Sequence, residues 1–263
     1  MDLVLAWPRA LMVAIAVLVA GLLGLAFSSG SGTQRAAISI GHAALARAPL
    51  DHAPMLRVTN GTSENWAGYD AHPGKFTQVS ASWTEPTVAC GASETSYSSF
   101  WVGLDGGDAN SASVEQTGTD ADCSSGTPTY YAWYEMYPAY PVDLQHPVQA
   151  GDALSASVTT DGTGLFTLTI ADTTQGWTSK TQQSSSQASL LSAEVIAEAP
   201  SSTSGVLPLA NFGTVDFSAS MANQAALGSS SPEELVMQTG STVKAQPSTL
   251  SGGESFSVSW RHS

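Results

Sequence analysis

From Asn65 onward the chain alternates between apolar and polar positions. In FTQVSASW, Phe76, Gln78, Ser80 and Ser82 share one face, and Thr77, Val79, Ala81 and Trp83 share the other. LFTLTI puts Phe166, Leu168 and Ile170 on one side, and SFSVSW does the same with Phe256, Val258 and Trp260. ALSASV, TVDF and TYYAWYEMY alternate or are rich in strand-forming residues. A period of two marks a strand with one buried face. Clusters of Gly, Pro, Asp and Ser, such as LDGGDANS, SSGTP, TTDGTG and SSTSG, separate these runs as turns. The Ser/Gln run QQSSSQ reads as a further exposed turn. No long stretch carries a helical period, and there is no tandem repeat. Many short strands with frequent turn signals predict an all-β sandwich or barrel.

The N-terminal part has a different pattern. Arg9 and the amino terminus precede an apolar run from Ala10 to Phe27, and the small residues SSGSG follow. That order describes a secretory signal within residues 1–30. The run is also near bilayer-spanning length, so an uncleaved anchor is the other reading. Either way the remainder is expected outside the cytoplasm, secreted or held at the surface by this segment. Residues 31–58 are Ala-rich with scattered Arg and His and read as a pro-segment or linker, leaving residues 59–263 for the sandwich domain. Cys90 and Cys123 are the only cysteines. They predict one disulfide in an oxidising compartment. Their spacing matches no metal motif, and no metal or cofactor is expected.

Charge narrows the choice of partners. From Leu56 on, apart from Arg57, four basic residues (Lys75, Lys180, Lys244 and Arg261) stand against twenty acidic ones. Such a surface repels nucleic acid and anionic membranes. Protonating the carboxylates leaves little positive charge to drive acid unfolding, so the composition suits a protein that works in acid. The basic 31–58 segment opposes the acidic remainder, which would hold it in place at neutral pH and release it as carboxylates protonate. A monomer is expected.

The sequence has no GxSxG elbow, no HExxH and no phosphate-binding loop, and His72, His146 and His262 fall in loop-like contexts. Carboxylates are therefore the leading candidates for chemistry. FWVGLDG carries Trp101 and Asp105. TYYAWYEMYP aligns Trp133, Glu135 and Tyr137 on one face, and SAEVIAEAP aligns Glu194, Ile196 and Glu198. A sheet face with Trp, Tyr and several carboxylates suits a groove for an extended polymer, either peptide or sugar. Gln116, in SVEQTGTDADC, cannot ionise, and by itself it reads as a structural amide. Two carboxylates, Glu135 with Glu198 or Glu194, would also suit a glycoside hydrolase. The same face without chemistry would suit a glycan-binding module.

Five blocks in order, NWAGY (Asn65–Tyr69), FWVGLDG (Phe100–Gly106), EQTGTD (Glu115–Asp120), YYAWYEMYP (Tyr130–Pro138) and AEVIAEAPS (Ala193–Ser201), resemble the glutamic peptidases, or eqolisins (family G1). These are acid endopeptidases of fungi and some bacteria. The resemblance implies an antiparallel two-sheet sandwich similar to concanavalin A-type lectins, a jelly roll with a groove on its concave face. It implies a catalytic Gln–Glu dyad on Gln116 and Glu198, acting on protein or peptide substrates. Trp101, Asp105 and Glu135 fall on supporting positions. The chain departs from the fungal pattern at Tyr131, where an Asp is usual, and at Ala199-Pro200 after the dyad Glu. Both changes are similar to the family's bacterial branch.

Overall fold

The computed structural model describes residues 50–108 and 111–263. The apolar N-terminal run and the first part of the Ala-rich segment lie outside the described residues. Among the described residues, thirteen strands of five residues or more build the fold. They are β1 (Trp66–Ala71), β2 (Gln78–Thr84), β3 (Ser99–Leu104), β4 (Val114–Ser124) and β5 (Thr127–Tyr137). Next come β6 (Ala153–Thr160), β7 (Leu165–Asp172), β8 (Trp177–Ser184) and β9 (Ala193–Glu198). The last four are β10 (Thr214–Ala222), β11 (Glu233–Thr239), β12 (Thr242–Pro247) and β13 (Phe256–Trp260).

Hydrogen-bonded pairing sorts them into two antiparallel sheets. The front sheet runs β11–β1–β9–β3–β4–β5. The back sheet runs β8–β7–β6–β2–β10–β13–β12–β11. Strand β11 belongs to both: Glu233–Leu235 pair with β1, and Met237–Thr239 pair with β12. The arrangement is the expected sandwich, with one strand crossing between sheets. The long β4–β5 hairpin turns at Ser125 and Gly126, which both have positive φ, 52° and 81°. Two such residues match the right-handed twist of the flanking strands.

The alternation seen in the sequence becomes the core between the sheets. Val79, Ala81 and Trp83 of β2 and Phe166, Leu168 and Ile170 of β7 pack against Phe100, Val102, Val195 and Ala197 of the front sheet. The front sheet is buried on its other face too, and every residue of β1, β3 and β9 is buried. A second apolar cluster of Trp66, Trp101, Val114, Trp133, Ile196 and Leu235 lies there, with Met55, Tyr131 and Tyr137 packed against it.

The QQSSSQ reading needs one correction. Gln182, Gln183 and Ser184 end strand β8, and a turn comes only after them. This strand alternates half-buried and exposed positions at the edge of the back sheet. Past Trp177, which packs partly against the core, its positions are all polar, so it carries no apolar pattern.

Cys90 and Cys123 form the expected disulfide, tying the β2–β3 connection to the end of β4 across a sequence separation of 33. A cross-link of that length stabilises by about 3–4 kcal/mol in the chain-entropy model. The double variant Cys90→Ala/Cys123→Ala is expected to lose a stability of that order while keeping its circular dichroism spectrum, as read from urea unfolding.

Candidate active site

Antiparallel register arranges the outer face of the front sheet in rows. Trp66, Glu198, Ser99, Asp120 and Tyr131 lie side by side across β1, β9, β3, β4 and β5. Two residues along, the row is Gly68, Ile196, Trp101, Gly118 and Trp133. The third is Asp70, Glu194, Gly103, Gln116 and Glu135. Spacing by two puts all three rows on one face. The glycines make room. A Cβ at Gly118 would run into the Phe100 carbonyl oxygen and the Trp101 side chain, and one at Gly103 would come within 2.9 Å of the Trp101 ring. Trp101 can therefore lie along the sheet.

From that position the Trp101 indole Nε1 donates to Glu198 Oε2 at 2.8 Å. Asn65 Nδ2 donates to the other oxygen, Oε1, at 3.4 Å. Glu198 is completely buried. Burial pushes its pKa up to about 7, against the pull of the nearby His52 imidazole and Trp101. Gln116 Nε2 donates to Glu135 Oε2 at 2.9 Å and to the His52 carbonyl oxygen at 2.7 Å. The same Glu135 oxygen accepts the His52 N–H at 3.3 Å. Burial, then the neighbouring Asp51 carboxyl, raises the Glu135 pKa well above its usual value.

Residues 50–56 run through this face, and His52 sits at its centre. Its ring stacks on Trp133 with centroids 3.8 Å apart and planes 5° from parallel. Its Nδ1 lies 3.2 Å from Ser99 Oγ and 3.6 Å from Glu198 Oε2. Burial opposes a charged imidazole, but the Asp120 and Glu198 carboxylates outweigh it and raise the His52 pKa. Trp133 Nε1 and Ser99 Oγ each donate to Asp120 Oδ1 at 2.6 Å. Tyr131, one of the two departures from the fungal pattern, donates its hydroxyl to Asp120 Oδ2 at 2.6 Å and to Asp122 Oδ2 at 3.0 Å. Ala199, the other, is buried in the core between the sheets.

The structure therefore brings Gln116, Glu198, Trp101, Glu135 and Trp133 together, with half-buried Tyr137 against the same apolar cluster. Asp105 works at one remove. It takes a positive φ of 67° and accepts the backbone N–H groups of Ser189, Leu190 and Leu191 at 2.8–2.9 Å, fixing the loop that leads into β9. Glu194 lies farther along the face beside Asp70 of β1, where burial and then that carboxyl push its pKa well up. Sequence reasoning passed over Asn65 and Asp120, although both stand in the quoted blocks, and Ser99, which directly precedes one. It placed His52 in the pro-segment, and no local signal marks it as part of the site.

A two-sheet sandwich with carboxyls, tryptophans and a buried amide gathered on one face of its front sheet fits a glutamic endopeptidase. The chain belongs to the peptidase A4 family, whose model matches residues 64–260. Aspergillopepsin-2 of Aspergillus niger is 27% identical over 220 residues, covering 75% of this chain and 78% of that protein. The crystal structure of scytalido-glutamic peptidase with a transition state analog inhibitor superposes with a TM-score of 0.65 at 25% identity, covering 75% of this chain and 98% of that one. SCP-B, a member of the eqolisin family solved in complex with the tripeptide Ala-Ile-His, gives a TM-score of 0.61 at 25% identity over the same shares of the two chains.

The buried carboxyls have a consequence for stability. Burial raises the pKa of Glu85 to about 8 and of Glu115 and Glu198 to about 7, and lifts those of Glu135 and Glu194 as well, all from an ordinary 4.5. A carboxyl whose pKa is higher in the folded state binds its proton more tightly there. Its contribution is fully present below the unfolded pKa and is lost as pH rises through the folded one. Glu94, Asp161 and Lys244 are shifted down and oppose this. The larger set predicts a protein that resists urea better near pH 4 than near pH 8. Unfolding of the Glu198→Gln variant, which avoids self-digestion, would check this through the four remaining glutamates.

Proposed function

We propose that this chain is a secreted acid endopeptidase working through a Gln116–Glu198 dyad. The observation that carries the reading is the 2.7 Å hydrogen bond from Gln116 Nε2 to a peptide carbonyl, with Glu198 buried on the same face. Peptide hydrolysis needs an activated water and a stabilised oxyanion. Glu198 takes a proton from water in its ionised form, the minor form below the pKa of about 7 that burial gives it here, and later returns one to the leaving nitrogen. Gln116 donates to the oxygen that becomes negative in the tetrahedral intermediate. An amide donates without ionising, so it keeps this role in acid. Glu135 accepts from the same amide group and orients it. Trp101 and Asn65 hold the Glu198 carboxyl in place.

Likeness to relatives solved with a transition state analog and with a tripeptide supports a peptide substrate. The disulfide supports an oxidising compartment. The protein acts as a monomer, and its chemistry uses no metal or cofactor. A carboxylate-pair glycosidase, by contrast, would give Gln116 no chemical part.

Digestion of casein across pH 2 to 7 tests the dyad, using protein from which the N-terminal segment has been removed. Glu198→Gln is expected to abolish acid-limited cleavage. Gln116→Ala is expected to lower kcat by about 10²–10³, the usual loss for one oxyanion donor. Full activity in Gln116→Ala would return that residue to a structural role.

A further inference from the structure

We infer that residues 50–55 lie in the groove as a substrate, that His52–Ala53 is the bond this chain cuts in itself, and that Trp133, Ser99 and Asp120 form a pocket selecting a flat, hydrogen-bonding side chain on the acyl side of the scissile bond. This rests on the dyad reading above and adds to it the cut site and the specificity.

The main chain is clamped on both sides of one peptide bond. Upstream, Asp51 makes a two-bond antiparallel bridge with Ser201, N–H to O at 3.0 and 2.8 Å. Downstream, Asn65 Nδ2 donates to the Ala53 and Pro54 carbonyls at 3.4 and 3.3 Å, and Met55 N donates to the Gly106 carbonyl at 3.2 Å. Leu56 N donates to Asn65 Oδ1 at 2.8 Å. Between the clamps, the His52 carbonyl accepts from Gln116 Nε2 and the His52 N–H is given to Glu135. A segment that merely covered the face would need no carbonyl aimed at that amide.

The His52 side chain reads out the pocket. Trp133 is its floor, fixed by the indole bond to Asp120. Ser99 Oγ reaches the imidazole edge and is itself held by Asp120. A flat ring gains the full stacking face, and a nitrogen on its edge gains the hydroxyl. A small or branched aliphatic side chain gains neither.

The reaction balances within the site. Water oxygen adds to the His52 carbonyl carbon as Glu198 takes the water proton, and the carbonyl oxygen becomes an oxyanion held by Gln116. Collapse breaks the bond between His52 carbon and Ala53 nitrogen, and Glu198 returns the proton to that nitrogen. The products are a carboxyl on His52 and a new amino terminus at Ala53. Loss of the upstream piece removes the imidazole from beside Glu198 and opens the face to other peptides.

The full chain, acidified and followed by intact-mass and N-terminal analysis, tests the cut site. The expected product begins at Ala53 and is absent in Glu198→Gln. Processed enzyme is then given the synthetic peptide LDHAPML and its variant with Gly for His. The first should be cut after His with a kcat/KM at least about tenfold higher, the scale of one pocket contact. Trp133→Ala should erase that preference, while Trp133→Phe, which keeps a flat floor, should restore part of it. Cleavage of added peptide by a protein that begins elsewhere than Ala53, or equal cutting of the two peptides, would overturn this inference and leave the dyad standing. No cleavage of any peptide would overturn both.

Discussion

The groove depends on the register of β9 between β1 and β3. Six residues of β9 pair on both sides, Glu198 with Trp66 and Ser99, and Glu194 with Asp70 and Gly103. A slip of one residue would drive Glu194, Ile196 and Glu198 into the hydrocarbon between the sheets and turn Val195 and Ala197 outward. The core side prevents this, because Val195 and Ala197 are already packed there. The outward-facing carboxyls of β9 are therefore positioned by apolar residues on its opposite face. Gly103 and Gly118 complete the arrangement by leaving the width that lets Trp101 span from one row to the next.

Burial on both faces sets the chemistry. An ionised carboxylate with no partner in such a place costs several kcal/mol. Glu198 has the indole N–H of Trp101, and Asp120 has three donors, from Ser99, Trp133 and Tyr131. Glu135 and Glu194 lie beside other carboxyls, and burial with that neighbouring charge raises both pKa values well above the ordinary range. A face built this way is least strained when protons are abundant. The few basic residues of the domain fit the same condition, since acid adds little net repulsion to a chain with so few cations.

The segment lying across this face gives the uncharged amide at its centre a carbonyl to meet. In acid a carboxyl switches between donor and acceptor, and an imidazole carries charge. The glutamine amide presents the same donor at every pH, so geometry alone decides whether it meets a carbonyl. Here it does, at 2.7 Å, because Glu135 holds it on one side and the Asp51–Ser201 bridge fixes the peptide on the other.

The alternation in β2, β7 and β13 made the sandwich legible, since a strand with one face toward a core must write that face into every second residue. The ordered blocks around Trp101, Gln116, Glu135 and Glu198 pointed by resemblance to one face of the front sheet, and two cysteines made the disulfide legible. Strand β8 was hidden because, past Trp177, this edge strand is polar throughout and has no apolar period to show. His52 was hidden for a deeper reason. Alternation tells which face of its own strand a side chain takes, but it does not say which distant segment will lie on that face. His52 meets Gln116 across 64 positions and Glu135 across 83. Only the closed tertiary structure decides such a contact, because it forms only once separate strands have lined up to make the groove.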